Sequence, residues 1–326
     1  MTAASPVPYH ATAVRPAWSA LPAALRDAVA VRLGGPVVSA RSAGAGFTRG
    51  FAAVLETAAG ARAFVKAADL AQQRHLADWY YREAAVLAGL PAGLAVPRPR
   101  WGLTAAGWYA IGLDAVAGRP PRLPWAPAEL AAVLAGYAEV AAALATPPAE
   151  LLALRPPHLA DLARADILSW GEVAAGHEPT PRLPPWATRR LPELVVLESR
   201  LPAYAAPATG LIHGDLRVDN VLLDPAGRAW FCDWTWLCHG PAWFDLVTLL
   251  LTGHTDGPDA DVAFATHPAA AGAPPDALDV TLAALAGYFL TSAAAGPSTA
   301  SPHIRSHQRF SGEQALGWLA ARRGWT

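Results

Sequence analysis

Leu211-Ile212-His213-Gly214-Asp215-Leu216-Arg217-Val218-Asp219-Asn220-Val221-Leu222-Leu223-Asp224-Pro225-Ala226-Gly227-Arg228-Ala229-Trp230-Phe231-Cys232-Asp233-Trp234 is the stretch that decides the fold. Two short apolar runs, Val221–Leu223 and Ala229–Cys232, flank Asp224-Pro225-Ala226-Gly227. Turn residues between β-type runs predict a hairpin. A polar loop holding His213, Asp215 and Asn220 precedes it, and a further carboxylate, Asp233, follows it. A hairpin of this length folds its two ends back together, so Asp215, Asn220 and Asp233 can converge on one small volume. Two carboxylates and a carboxamide oxygen suit a hard cation such as magnesium and a hydroxyl proton.

The spacing His-x-Asp-x-x-x-x-Asn, then a strand pair, then Asp resembles the catalytic and metal loops of the protein-kinase-like fold. His213-Gly214-Asp215, with Asp233-Trp234 and then Gly240-Pro241-Ala242-Trp243-Phe244-Asp245-Leu246, is more similar to the aminoglycoside phosphotransferase family. Within it the chain resembles the actinobacterial-type antibiotic phosphotransferases. The resemblance covers the chain from about Val37 to the C-terminus. It implies that Asp215 orients and deprotonates a substrate hydroxyl, that Asn220 and Asp233 hold magnesium, and that the γ-phosphoryl of ATP or GTP is transferred.

Composition argues in the same direction. Lys occurs once, at Lys66, although Lys and Arg together number 25, and Asn occurs once, at Asn220. In a chain that has replaced lysine by arginine, lysine should survive where a compact ammonium is needed and a guanidinium fork does not fit. The plain alternative is chance survival at two surface positions. Both survivors fall where the kinase-like reading requires them.

A net charge of −1 argues against a nucleic-acid partner, which calls for a basic footprint. The hydrophobic content of 53% is inflated by alanine, and no apolar run approaches the roughly 20 residues of a membrane span. We read no signal peptide at the start of the chain. Cys232 and Cys238 form no metal set by themselves and fit a reduced cytoplasmic protein.

The sequence predicts an α+β, two-lobed protein, dividing at residues 1–114 and 115–326. Residues 1–17 form a Pro-rich arm. A helix follows over Trp18–Leu33, with Ser19 as a possible cap. Strands over Val37–Arg41 and Phe51–Thr57 flank Gly44, Gly46 and Phe47, a Gly-rich turn whose backbone N–H groups can lie over phosphates. Arg62–Ala67 is the third strand and carries Lys66. In the family this lysine reaches the α- and β-phosphates. Its expected partner is Glu83 on the helix Ala77–Leu90, with Asp78 second. Strands Val96–Gly102 and Trp108–Leu113 complete a five-stranded antiparallel sheet. The resemblance makes the segment after them a hinge whose backbone pairs with the nucleotide base, near Gly112–Val116, including Leu113 and Ala115.

Beyond the hinge the sequence predicts helices over Pro127–Ala145, Pro156–Gly176 and Trp186–Ala205. After the hairpin come Ala277–Ala294, with Asp276 as cap, and His303–Gly324. By motif position His213 holds the loop rather than reacting, and Asp245 is a cap or loop anchor. Arg217 either neutralises the transferring phosphoryl or is solvated. No Lys or Arg occurs between Arg228 and Arg305, while seven aspartates do. Either this is a solvated acidic surface or it is one side of a cleft attracting a cationic acceptor, with Asp256, Asp259, Asp261 and Arg305 as candidate contacts. The expected function is phosphorylation of a hydroxyl on an aminoglycoside-like or other antibiotic. A metabolic kinase of the same fold (choline, homoserine or sugar) and a nucleotide-binding pseudoenzyme are the alternatives.

Overall fold

The computed structural model describes residues 7–254 and 259–326 of the 326-residue chain. By internal contacts the chain forms two compact units. One comprises Pro8–Pro120 with Asp219–Thr235, and the other is formed by the described residues of Pro121–Val218 and Trp236–Thr326.

The first unit is built on an antiparallel sheet of five strands: β1 (Val37–Ser42), β2 (Phe51–Thr57), β3 (Arg62–Asp69), β4 (Pro99–Ala105) and β5 (Trp108–Leu113), in the order β1-β2-β3-β5-β4. Side chains alternate across a strand, so each strand serves two faces. Phe51, Ala53 and Leu55 of β2 and Ala63, Val65 and Ala67 of β3 bury against Leu25, Val29 and Leu33 of helix α1 (Ala23–Leu33). The intervening Val54, Phe64 and Lys66 therefore belong to the other face. Helix α2 (Arg74–Gly89) buries Leu76, Ala77, Tyr80, Glu83, Val86 and Leu87. Its C-terminal carbonyls of Leu87 and Leu90 accept from Arg98 at 3.1 and 2.8 Å. The hairpin of β7 (Val221–Leu223) and β8 (Ala229–Phe231) belongs to this unit, its Phe231 N–H donating to the Ala95 carbonyl at 2.9 Å.

Helix α1 starts later than the sequence reading. Trp18–Ala20 is a separate 3-10 turn, Pro22 precedes α1, and Ser19 caps nothing. A proline has no N–H to give an ongoing helix, which divides the segment there. Strand β4 likewise pairs only from Pro99, past Pro97.

The second unit is helical. Helix α3 (Pro127–Leu144) buries Leu130, Val133, Tyr137, Val140 and Leu144 and leaves alanines outside. After α4 (Ala149–Ala153), the segment expected as one helix over 156–176 is broken into α5 (Leu159–Leu162), a π-turn at Ala163–Ile167 and α6 (Trp170–Ala175). The segment 186–205 divides into α7 (Pro185–Arg189), α8 (Leu191–Glu198) and α9 (Leu201–Ala205). Pro192 and Pro202 stand in the first turns of α8 and α9, where the missing N–H costs nothing.

Strands β6 (Leu211–Ile212) and β9 (Cys238–His239) pair antiparallel within this unit. Helices α10 (Ala242–Leu250) and α11 (Ala260–Thr266) follow. Next come α12 (Ala277–Ala294), buried along most of its length, and α13 (Ile304–Arg323), packed against it. The α+β class with its five-stranded antiparallel sheet and helical C-terminal part is as the sequence predicts.

Candidate nucleotide cavity and hydroxyl-activating loop

Lys66 is paired in register with Ala52 on β2 and Ile111 on β5, at the centre of the sheet. Its Nζ donates to Glu83 Oε1 and Oε2 at 2.8 and 2.7 Å and to Asp233 Oδ1 at 3.2 Å. The Glu83 side chain is 1% exposed and Lys66 12%, while Asp233 is 48% exposed. Glu83 is thus the buried clamp, and Asp233 is the group that faces outward. Asp78 instead pairs with Arg74, one turn away on the same helix.

Burial pushes the Glu83 carboxyl up to about 7, against the pull of Lys66. Burial acts to discharge Lys66 too, but Asp233 and Glu83 outweigh it and hold the ammonium above its ordinary range. Asp233 adopts φ 65°, which a non-glycine residue rarely does and which is a local strain at the site.

These residues line a cavity of about 330 Å³ within the first unit. Gly44, Gly46, Lys66, Glu83, Leu113, Asn220 and Asp233, which the sequence reading assigned to nucleotide and magnesium, all line it. Val54, Phe64, Pro97, Leu113, Val116 and Leu222 supply an apolar slot of the kind that accepts a flat heteroaromatic ring. Ala115 and Phe47 are not among the lining residues, although their neighbours Asp114, Val116 and Gly46 are. Phe47 is buried.

Asn220 and Asp233 present a carboxamide and a carboxylate to the same cavity, and Cys232 N–H donates to the Asn220 carbonyl at 2.9 Å, tying the two ends of the hairpin. A carboxamide and a carboxylate are hard oxygen donors of the kind that fit magnesium. Cys232 also lines the cavity, but burial pushes its thiol up to about 12, so it is no nucleophile.

The arm at the start of the chain also lines the cavity, a role the sequence reading did not give it. His10 and Arg15 come from the arm that precedes α1. The Arg15 guanidinium donates to the carbonyls of Ala43 (3.3 Å), Gly50 (3.0 Å) and Ala45 (2.9 Å). One arginine in a chain rich in them gave the sequence reading nothing to fix on.

Asp215 lies in the second unit, on a loop held by Asp245. Oδ2 and Oδ1 of Asp245 accept from the backbone N–H groups of His213 (2.7 Å) and Gly214 (3.0 Å). The Asp215 N–H donates to His213 Nδ1 at 3.3 Å, and the Thr248 hydroxyl donates to the Leu216 carbonyl at 2.9 Å. Gly214 has φ +80°, and a Cβ there would stand 2.3 Å from the Trp236 carbonyl oxygen. No other residue fits that position. Asp245 is fully buried, and burial pushes its carboxyl up to about 7 despite its two N–H donors. His213 is buried at 1% exposure, in the structural role its motif position implied. Arg217 forms an ion pair with Asp215. Burial pushes the Tyr288 phenol on α12 up, and the Asp215 charge adds to that. This tyrosine had been read only as part of an apolar helix.

The expected acceptor contacts do not gather. Asp256 lies outside the described residues. Asp259 caps α11 through the N–H groups of Asp261 and Val262. Asp261 pairs with Arg322 and accepts from Trp318 Nε1 at 3.2 Å. Arg305 donates to the carbonyls of Gly296 (2.8 Å) and Ser292 (2.5 Å), fastening α13 to the end of α12. Asp276 makes no side-chain cap and instead holds Arg200 and Tyr204 at 2.6 and 2.7 Å. Asp279 meets Arg322 and Arg323 at 2.5 and 2.7 Å. Asp261, Asp276 and Asp279 are thus paired with arginines from outside the charge gap, which weakens the argument for an acidic cleft wall.

No curated protein matches the chain in sequence. Solved structures resemble it in fold. The GDP complex of wild-type aminoglycoside 2'-phosphotransferase-IIIa is 16% identical, with a TM-score of 0.63 over 93% of this chain and 99% of that one. A thermostable mutant of aminoglycoside phosphotransferase APH(4)-Ia, in ternary complex with ADP and hygromycin B, is 15% identical, with a TM-score of 0.59 over 91% and 98%. Choline kinase LicA from Streptococcus pneumoniae is 14% identical, with a TM-score of 0.52 over 91% and 98%. At these identities the likeness shows the fold. The model of the phosphotransferase enzyme family matches residues 41–279, well over half of the sequence, and the chain belongs to that family.

Proposed function

We propose that this phosphotransferase is a small-molecule kinase that moves the γ-phosphoryl of ATP or GTP to a hydroxyl of an aminoglycoside-like or other antibiotic. The observation that carries the reading is Lys66, clamped by Glu83 and facing Asp233 in a cavity shared with the Gly-rich loop and Asn220. A buried carboxylate fixes the ammonium where it can meet phosphate oxygens. The apolar slot beside Leu113 and Val116 takes the base. Asn220 and Asp233 would hold magnesium, which on binding neutralises phosphate charge.

Asp215 accepts the proton of the acceptor hydroxyl as its oxygen bonds to the γ-phosphorus. The bond from that phosphorus to the bridging oxygen breaks, and the nucleoside diphosphate leaves. The anchoring of the His213–Gly214 backbone on Asp245 keeps this carboxylate in place. Arg217, paired with Asp215, would in this reading neutralise the phosphoryl oxygens. In this reading the sheet-bearing unit binds the nucleotide and the helical unit binds the acceptor. A triphosphate donor is a cytoplasmic reagent, and the proposal puts the protein there.

Family membership supports transfer of a phosphoryl group, and the hygromycin B complex of a protein with this fold supports the class of acceptor. The test is nucleoside-diphosphate release with magnesium, run with ATP and GTP separately. The panel is aminoglycosides, peptide and nucleoside antibiotics, choline and homoserine. Turnover on an antibiotic is the expected result. Turnover on choline or homoserine alone would overturn the acceptor class.

A further inference from the structure

The loop Ala43–Gly50 between β1 and β2 has no regular structure, and the two strands pair only as far as Ser42 and Ala53. Three glycines give it little conformational preference of its own. It must take its shape from elsewhere, and the arm ahead of α1 supplies it. Arg15 gathers the carbonyls of Ala43, Ala45 and Gly50 on one planar guanidinium. Ala13 N–H donates to the Gly44 carbonyl at 2.9 Å, and Gly46 N–H donates to the Thr12 hydroxyl at 3.2 Å.

Two of the glycines make room for the arm. A Cβ on Gly44 would meet the His10 carbonyl oxygen at 2.1 Å. Gly46 has φ +104°, and a Cβ on it would meet Arg15 at 2.7 Å. Thr12 of the arm is fully buried, and Arg15 is partly so. Arg15 also lines the cavity with Lys66 and Asp233. Burial lowers its hold on the proton, while Tyr80 and Asp233 offset that loss. An arginine stays charged in such a setting, so the cavity contains a second fixed cation besides Lys66.

We infer that Arg15 is a positioning residue for the phosphate-binding loop of this kinase: it sets the loop's shape from the N-terminal arm and adds positive charge to the phosphate end of the cavity. The inference rests on the nucleotide reading above. A guanidinium is suited to the task, because three carbonyls arranged around a plane need a fork of N–H groups that an ammonium cannot supply.

The experiment is isothermal titration of wild type, Arg15→Gln, Arg15→Lys and Thr12→Val. The ligands are the preferred nucleoside triphosphate with magnesium and, separately, the parent nucleoside. Melting curves establish that each variant is folded. Arg15→Gln is expected to lose about tenfold or more in triphosphate affinity and to keep nucleoside affinity within about twofold, with Arg15→Lys intermediate. Thr12→Val should show the same selectivity at about threefold, and it carries the test if Arg15→Gln does not fold. Equal loss for triphosphate and nucleoside, or no loss for either, would overturn the role of Arg15. If the wild type binds no nucleotide, it is the underlying reading that fails.

Discussion

Glu83 Oε2 lies 2.7 Å from Lys66 Nζ, in a position 1% exposed. This pair joins a helix to the middle of a sheet and fixes the single lysine of the chain. Glu83→Gln keeps the volume and removes the charge that aims the ammonium. Turnover should fall by about 10- to 100-fold with a smaller change in folding, read from steady-state kinetics beside a thermal melt. Lys66→Arg should fail to restore activity, since a fork cannot occupy the place of a compact ammonium.

Gly214 separates His213 from Asp215 because the Trp236 carbonyl leaves no room for a Cβ, and because φ is +80°. Gly214→Ala should therefore cost about 2–4 kcal/mol of stability and abolish transfer. Urea unfolding measures the first effect and diphosphate release the second.

Asp245 should give the fold a recognisable pH dependence. Its folded pKa, about 7, is raised above that of an unfolded aspartate. The folded state therefore holds the proton more tightly. The stability gained this way is complete below about pH 4 and is lost as pH rises through about 7. Glu198, raised to about 7 by burial while it accepts from Ser169 and Gly171, acts with the same sign. Urea midpoints compared at pH 5 and pH 8 should fall less steeply in Asp245→Asn than in wild type. Asp245→Ala, which leaves two backbone N–H groups without acceptors, should cost about 2–4 kcal/mol at either pH.

Asp233 sets local stability against function. Asp233→Gly relieves a left-handed backbone worth about 1–2 kcal/mol but loses the bond to Lys66 and some unfolded-state entropy. The melting temperature should move by no more than about 2 °C, while turnover falls by more than about 100-fold.

Some of this was legible from sequence for definite reasons. Lys66 and Asn220 stood out because each is the only residue of its type, and both line the cavity. The hairpin was legible because Asp224-Pro225-Ala226-Gly227 is a strong local turn signal. Asp245 showed itself as an anchor by following Gly240-Pro241.

What was missed depends on distance along the chain. Arg15 bonds to carbonyls 28 to 35 positions away, and nothing local marks it. Asp261, Asp276 and Asp279 read as an acidic face because their partners, Arg200, Arg322 and Arg323, lie outside the stretch. The helix over 186–205 was drawn too long because hydrophobic periodicity continues across Pro192 and Pro202.

The account turns on Asp215 as the group that takes the hydroxyl proton. The most direct test is Asp215→Ala, assayed on the acceptor the panel identifies, with two readouts from one preparation: diphosphate release and nucleotide binding. The account predicts that release falls by at least about 10³-fold while nucleotide affinity stays within about twofold of wild type. Retained turnover in the variant would remove Asp215 from its role and contradict the proposed mechanism.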